Sequence, residues 1–191
     1  MIPRGTDIPK IFEDNITSST LLDSLIGAYY TLKDKIDFYP SARKYHHWWR
    51  AGWGDHTAQV MELGISLYKT ASSYEEIKDF NIDDVVLVSF VHDLDKLWRY
   101  ELLKEPKSNQ LFEYRKDIPP YAENSKAVAE CFRNGIQLTD KHIEAIDHHH
   151  GGYSFDLSSV YSKGTSMTTL SVILNSADML SYYLWGNNSG L

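Results

Sequence analysis

Residues 83–100 read DDVVLVSFVHDLDKLWRY, a run apolar enough to fill a core yet carrying His92 and Asp93 at its middle. Val85 and Val88 precede His92 at helical spacing, so on a helix the imidazole shares their inward face. A carboxylate buried without compensation is strongly unfavourable, even after the surroundings relax. The run therefore demands an ion pair, a dense hydrogen-bond network or a metal ion.

Helical periodicity dominates the rest of the chain, with no clear strand alternation or internal repeat, and the expected fold class is all-α. Helices are expected over 19–37, from near Asp55, from an N-cap at Asp83 or Asp84 to roughly Leu103, over 121–134, from an N-cap at Thr139, and over 168–185. Gly135 reads as the stop of the fourth. The polar, proline-bounded stretch EPKSNQLFEYRKDIPP (105–120) reads as a connection with short extended pieces, a candidate lid or substrate loop. Residues 154–166 are loop-like. At 191 residues one domain is the simplest organisation, with a core over about 45–183 and with 1–18 and 186–191 peripheral.

Two more polar groups sit on apolar helical faces. His56 opens the stripe Val60, Leu63, Leu67, and Asp178 lies within VILNSADML. Singly, each fits a hydrogen-bonded core residue. Together His56, His92, Asp93 and Asp178 are two imidazoles and two carboxylates on three helices that share one core. That mixed nitrogen and oxygen set suits a divalent transition metal.

These residues resemble the HD superfamily of metal-dependent phosphohydrolases: a His, a His-Asp doublet and a distant Asp, all on helices. HHWWRAGWGDHTAQV (46–60) resembles the "HH…GG…HT" segment of several HD hydrolases, and LTDKHIEAIDHHHGGYS resembles their "LT…E..AI..HxGG" segment, with His149 at the histidine that faces the metal. The likeness spans roughly Tyr45 to Tyr183. It implies an HD-type helical bundle, its metal site between the central helices. It also implies one divalent ion (Mn, Fe, Co, Ni, Zn or Mg) on His56, His92, Asp93 and Asp178, and hydrolysis of a phosphoester. Lys96 would bind the phosphate, and His149 would contact it or move a proton.

Two departures are specific to this chain. Many relatives carry a further histidine where this chain has YAENSKAV, so a second ion would need Glu123 in its place beside His149. Where "HDxGK" is common, this chain reads HDLDK; Asp95 is either an added acid in the site or a local cap or pair. Trp48, Trp49 and Trp53 precede His56; they pack in the core, or Trp49 or Trp53 stacks on a nucleobase at the pocket mouth. Arg99, Arg115, Lys116 and Lys126 are weaker candidates for phosphate contact.

The formal net charge of −7 speaks against long nucleic acid as partner and favours a small phosphorylated substrate, expected to be a (deoxy)nucleoside mono- or triphosphate. A phosphodiesterase or 3′–5′ exonuclease acting on short oligonucleotides or cyclic nucleotides is the alternative. A non-catalytic HD module that binds nucleotide is a second alternative. The single Cys131 excludes an internal disulfide. No signal-like N-terminus or membrane-length apolar run is seen, so a cytoplasmic protein away from membranes is expected.

Overall fold

The computed structural model describes residues 7–44, 46–107, 110–118, 123–149 and 167–186. Its helices are α1 (Ile8–Asn15), α2 (Ser19–Ile36), α3 (Gly52–Tyr74), α4 (Ile82–Val91), the single turn α5 (Lys96–Arg99), α6 (Glu123–Arg133), α7 (Asp140–His148) and α8 (Thr169–Ser181). A wider π-helical turn, Tyr182–Gly186, continues α8. Between α5 and α6, β1 (Tyr100–Lys107) and β2 (Gln110–Tyr114) form an antiparallel hairpin that pairs Tyr100 with Tyr114 and Leu102 with Phe112. The fold is all-α with this one small sheet among the described residues.

Several boundaries follow local chemistry. The Ser18 hydroxyl accepts the Leu21 N–H at 3.3 Å and starts α2, which ends ahead of Pro40 as expected. Thr139 precedes α7, and Gly135 takes φ +76° after α6, the left-handed stop its identity suggests. The start of α4 differs from expectation. Asn81 is the N-cap, exchanging hydrogen bonds with Asp84 in a capping box. Asp83 instead accepts from the backbone N–H groups of Thr17 and Ser18 at 2.8 and 2.9 Å, fastening the α1–α2 junction to α4.

α4 packs against α1, α3, α6, α7 and α8, and all of Asp83 to Val91 is buried. Val86, Leu87, Phe90 and Val91 join the larger core with Phe12, Leu25, Trp53 and Met61. Val85 and Val88 face a second cluster with Val60, Leu170, Leu174 and Ala177. A helix enclosed on every side needs apolar residues all round, which is what VVLVSFV supplies.

Two expectations are corrected here. The helix does not reach Leu103: after Val91 the chain tightens into i→i+3 bonds (Leu94 to Val91, Lys96 to Asp93, Leu97 to Leu94) and then extends into β1. Residues 105–114 of the expected lid thus belong largely to the hairpin, where Gln110 and Phe112 alternate inward. Residues 1–18 are not all peripheral either, because α1 buries Ile8, Ile11 and Phe12, and Phe12 meets Phe90 edge to face at 5.0 Å. Tyr121, residues 150–166 and residues 187–191 lie outside the described residues.

Asp84 also ties α4 to α7. Its oxygens accept from His142 Nε2 at 2.7 Å and from Lys141 Nζ at 2.8 Å. Burial pushes the Asp84 carboxyl up, but the hydrogen bonds, that of His142 foremost, bring it down to about 2. Since the folded value lies below the unfolded value of about 3.9, this stabilisation is complete above about pH 5 and is lost as pH falls through about 2. His142→Leu is expected to cost about 1.5–3 kcal/mol at pH 6 and progressively less towards pH 2, read from urea unfolding midpoints across that range.

Candidate metal centre

His56 lies in the first turns of α3, His92 and Asp93 follow the last residue of α4, and Asp178 is on α8. α3 packs on both α4 and α8, which brings the four together. His56 Nε2 is 3.4 Å from His92 Nε2, 3.5 Å from Asp93 Oδ2 and 3.1 Å from Asp178 Oδ1. His92 Nε2 is 3.4 Å from Asp93 Oδ2 and 4.0 Å from Asp178 Oδ1.

These separations test whether an ion fits. With metal–ligand bonds of roughly 2.0–2.2 Å, donors at right angles lie about 3 Å apart and a tetrahedral pair about 3.4 Å apart. Four of the five edges fall at those lengths, and the fifth opens wider. The buried His/Asp cluster could therefore hold a metal ion. His92 Nδ1 donates to the Ser89 carbonyl at 2.8 Å, leaving Nε2 as its lone-pair nitrogen towards the cluster. The side chains of His56, His92 and Asp93 are at most 3% exposed, against 19% for Asp178 and 14% for Lys96. Solvent thus reaches the cluster from the Asp178 and Lys96 side.

Asp93 is the hub. Lys96 Nζ donates to its Oδ2 at 2.5 Å, while His149 Nε2 stands 3.6 Å from its Oδ1. Burial pushes the Asp93 carboxyl up, yet Lys96, His92, His149 and His56 together hold it well below the usual carboxylate range. For Asp178, too, burial is outweighed, chiefly by His56. Burial would lower His56 and Lys96, but Asp178 and Asp93 raise the imidazole and Asp93 and Asp178 raise the ammonium. His92 is the exception, lowered by burial above all. Protons and a cation would therefore compete for the same nitrogen, His56 Nε2.

No protein-family model matches this chain, no curated protein matches it, and no solved structure matches it. The reading of the site rests on its own chemistry.

The remaining candidates are placed as follows. His149 closes α7, with Nδ1 donating to the Ile146 carbonyl and Nε2 towards Asp93. The side chain of Glu123, the other half of a second ion site, lies outside the described residues. Asp95 turns to Arg99, whose Nη2 is 2.8 Å from its Oδ2, and burial still pushes its carboxyl up to about 6. Arg115 pairs with Asp117 at 2.7 Å beyond β2, and Lys126 lies 3.4 Å from Glu130 and over the Trp98 ring. Those contacts belong to the surface of the hairpin and of α6, not to the cluster.

Trp53 requires a correction. It is fully buried, so it offers no face to a nucleobase; its indole N–H donates to the Asp93 backbone carbonyl at 2.8 Å. The core thereby holds the hub residue from behind. Trp49 is half-buried, donates to Asp55 Oδ2 at 2.7 Å and lies beside the His47 ring.

Sequence reasoning missed Gln59 and Ser181. The His56 Nδ1 nitrogen is 3.0 Å from Ser181 Oγ, which donates to Gln59 Oε1 at 3.0 Å. Each lies three positions after a cluster residue, Gln59 after His56 and Ser181 after Asp178. A polar side chain one turn from a metal-ligand candidate, on the same buried face, was the available signal.

Proposed function

We propose that this chain is a metal-dependent phosphohydrolase of the HD type, acting on a (deoxy)nucleoside mono- or triphosphate. The observation that carries the reading is the convergence of His56, His92, Asp93 and Asp178, with the Lys96 ammonium on the same carboxylate. Among the described residues, two carboxylates and one ammonium at the cluster would leave a divalent ion with one net positive charge around it, and Asp95 is paired with Arg99. Such a site favours an anion.

His56, His92, Asp93 and Asp178 would hold the ion. Bound there, it would lower the pKa of a water towards neutrality and offset charge on the phosphoryl group. Lys96, on the solvent-facing side and bonded to Asp93, would meet a phosphate oxygen. His149, with Nδ1 on the Ile146 carbonyl and Nε2 facing Asp93 Oδ1, would move a proton or contact the phosphate. The net charge of −7 keeps a small nucleotide the favoured substrate over a long polyanion.

The test is a panel. Protein loaded singly with Mn, Co, Ni, Zn or Mg is incubated with nucleoside mono- and triphosphates and short oligonucleotides, and phosphate, pyrophosphate and nucleoside are quantified. Release from mononucleotides with at least one metal, abolished by chelator, is the expected result. Cleavage of oligonucleotides alone would reassign the chain to phosphodiesterases, and no release from any substrate would defeat the proposal.

A further inference from the structure

The three histidines at the cluster do not have their protons fixed in the same way. His92 and His149 each turn Nδ1 to a backbone carbonyl, of Ser89 and Ile146, which can only accept. Their protons must sit on Nδ1. Among the described residues His56 Nδ1 meets no such carbonyl; it faces the Ser181 hydroxyl, and a hydroxyl can donate as readily as accept. Left to itself, Ser181 would allow His56 either tautomer, and only one leaves a lone pair on the nitrogen that faces His92, Asp93 and Asp178.

The ambiguity is removed one bond further out. Gln59 Oε1 lies 3.0 Å from Ser181 Oγ and 2.9 Å from His47 Nε2. A carbonyl oxygen only accepts, so both neighbours donate to it. His47 thus pins the amide with its oxygen towards Ser181, and Ser181 spends its single proton on Gln59. The Ser181 oxygen is then an acceptor for His56, whose proton is held on Nδ1. All four side chains are buried, at 0% exposure for His47, His56 and Ser181 and 3% for Gln59, so water does not compete for these bonds. His47 is itself held by its backbone: it takes φ +42°, and its carbonyl accepts from Ser41 N–H at 3.0 Å.

We infer that His47, Gln59 and Ser181 form a one-way hydrogen-bond relay that fixes the tautomer of His56 and so presents its Nε2 lone pair to a metal ion. They are positioning residues, acting through His56. The inference rests on the metal centre proposed above, but not on the substrate.

Ser181→Ala removes the hydroxyl with the smallest change of shape, and Gln59→Met removes the acceptor at similar volume. Binding of Mn2+ or Zn2+ alone is followed by titration calorimetry, and the His56 tautomer by nitrogen-15 NMR of the metal-free protein at a pH high enough that the imidazole is neutral. Both variants are expected to weaken ion binding by about 10–100-fold, the usual effect of losing an orienting partner. Their His56 signal should move from the pure Nδ1–H form to a mixture, and Ser181→Thr should restore both readouts. If Ser181→Ala does not fold, Gln59→Met gives the same reading. Wild-type affinity and an unchanged tautomer in the variants would overturn the relay alone. A wild-type protein that binds neither ion would overturn the metal centre and the relay with it.

Discussion

Asp93→Asn is expected to erase the rise in thermal unfolding midpoint that divalent ions give the wild-type protein, together with any phosphate release. The wild-type gain follows mass action, about 2.7 kcal/mol when the free ion is at 100 times its Kd. Asp93 supplies one of the two anionic charges at the cluster, and its Oδ2 stands within 3.5 Å of both imidazole Nε2 atoms. An amide of the same shape keeps an oxygen there but loses the charge. The ion-free protein should weaken as well, because the Lys96 ammonium is left without its hydrogen-bonded partner. Breaking such a buried pair costs about 3–5 kcal/mol. The lower end is expected here, since Asp178 also acts on Lys96 and remains. Differential scanning fluorimetry of both proteins, with and without ion and chelator, separates the two effects. A metal-dependent shift that survives in Asp93→Asn would place the ion elsewhere.

Gly52→Ala is the second large effect, and it arises from the backbone. A Cβ at Gly52 would stand 2.1 Å from the His47 carbonyl oxygen and 2.7 Å from its carbon. Neither atom is the end of a flexible side chain, so the segment before α3 has to move. That segment already holds His47 at φ +42° and Ala51 at φ +60°, and displacing it breaks the Ser41–His47 bond and withdraws His47 from Gln59. A loss of about 3 kcal/mol or more is expected, at the upper end of overpacking costs. Gly27→Ala is the matched control. Nothing lies within 4 Å of a Cβ there, the site is exposed on α2, and a gain of up to about 1 kcal/mol is expected. Urea unfolding at 25 °C reads both, and equal midpoints for the two variants would contradict the packing argument.

What could be read from sequence had local causes. Thr139 caps a helix and Gly135 ends one because each acts within a few residues of itself. The break after Val91 was hidden because Leu94 and Leu97 keep helical spacing through the turn and are both fully buried. Periodicity registers which residues go inward, not whether the bonds between them run to i+4 or i+3. α1 spans only eight residues and includes Pro9, too short for its period to stand out.

At the site, His56, His92, Asp93 and Asp178 were legible because imidazoles and carboxylates on apolar faces are costly and so need a reason. Gln59 and Ser181 carry no charge, and a buried amide or hydroxyl can be satisfied in many ordinary ways. Which of the three neighbouring indoles packs in the core was not legible, because they look alike in sequence. The left-handed turns at His47 and Ala51 decide which of them enters the core.

The fastening of His56 to Ser181 also bears on how the chain comes apart. The two residues are 125 positions apart, and with Cys131 the single cysteine no internal disulfide can close that loop. An ion shared by α3, the end of α4 and α8 would act as a removable cross-link across most of the chain, and long loops gain most from closure. Amide exchange along α8 should then slow on metal addition to the rate of α4, and chelation should free α8 to open by itself.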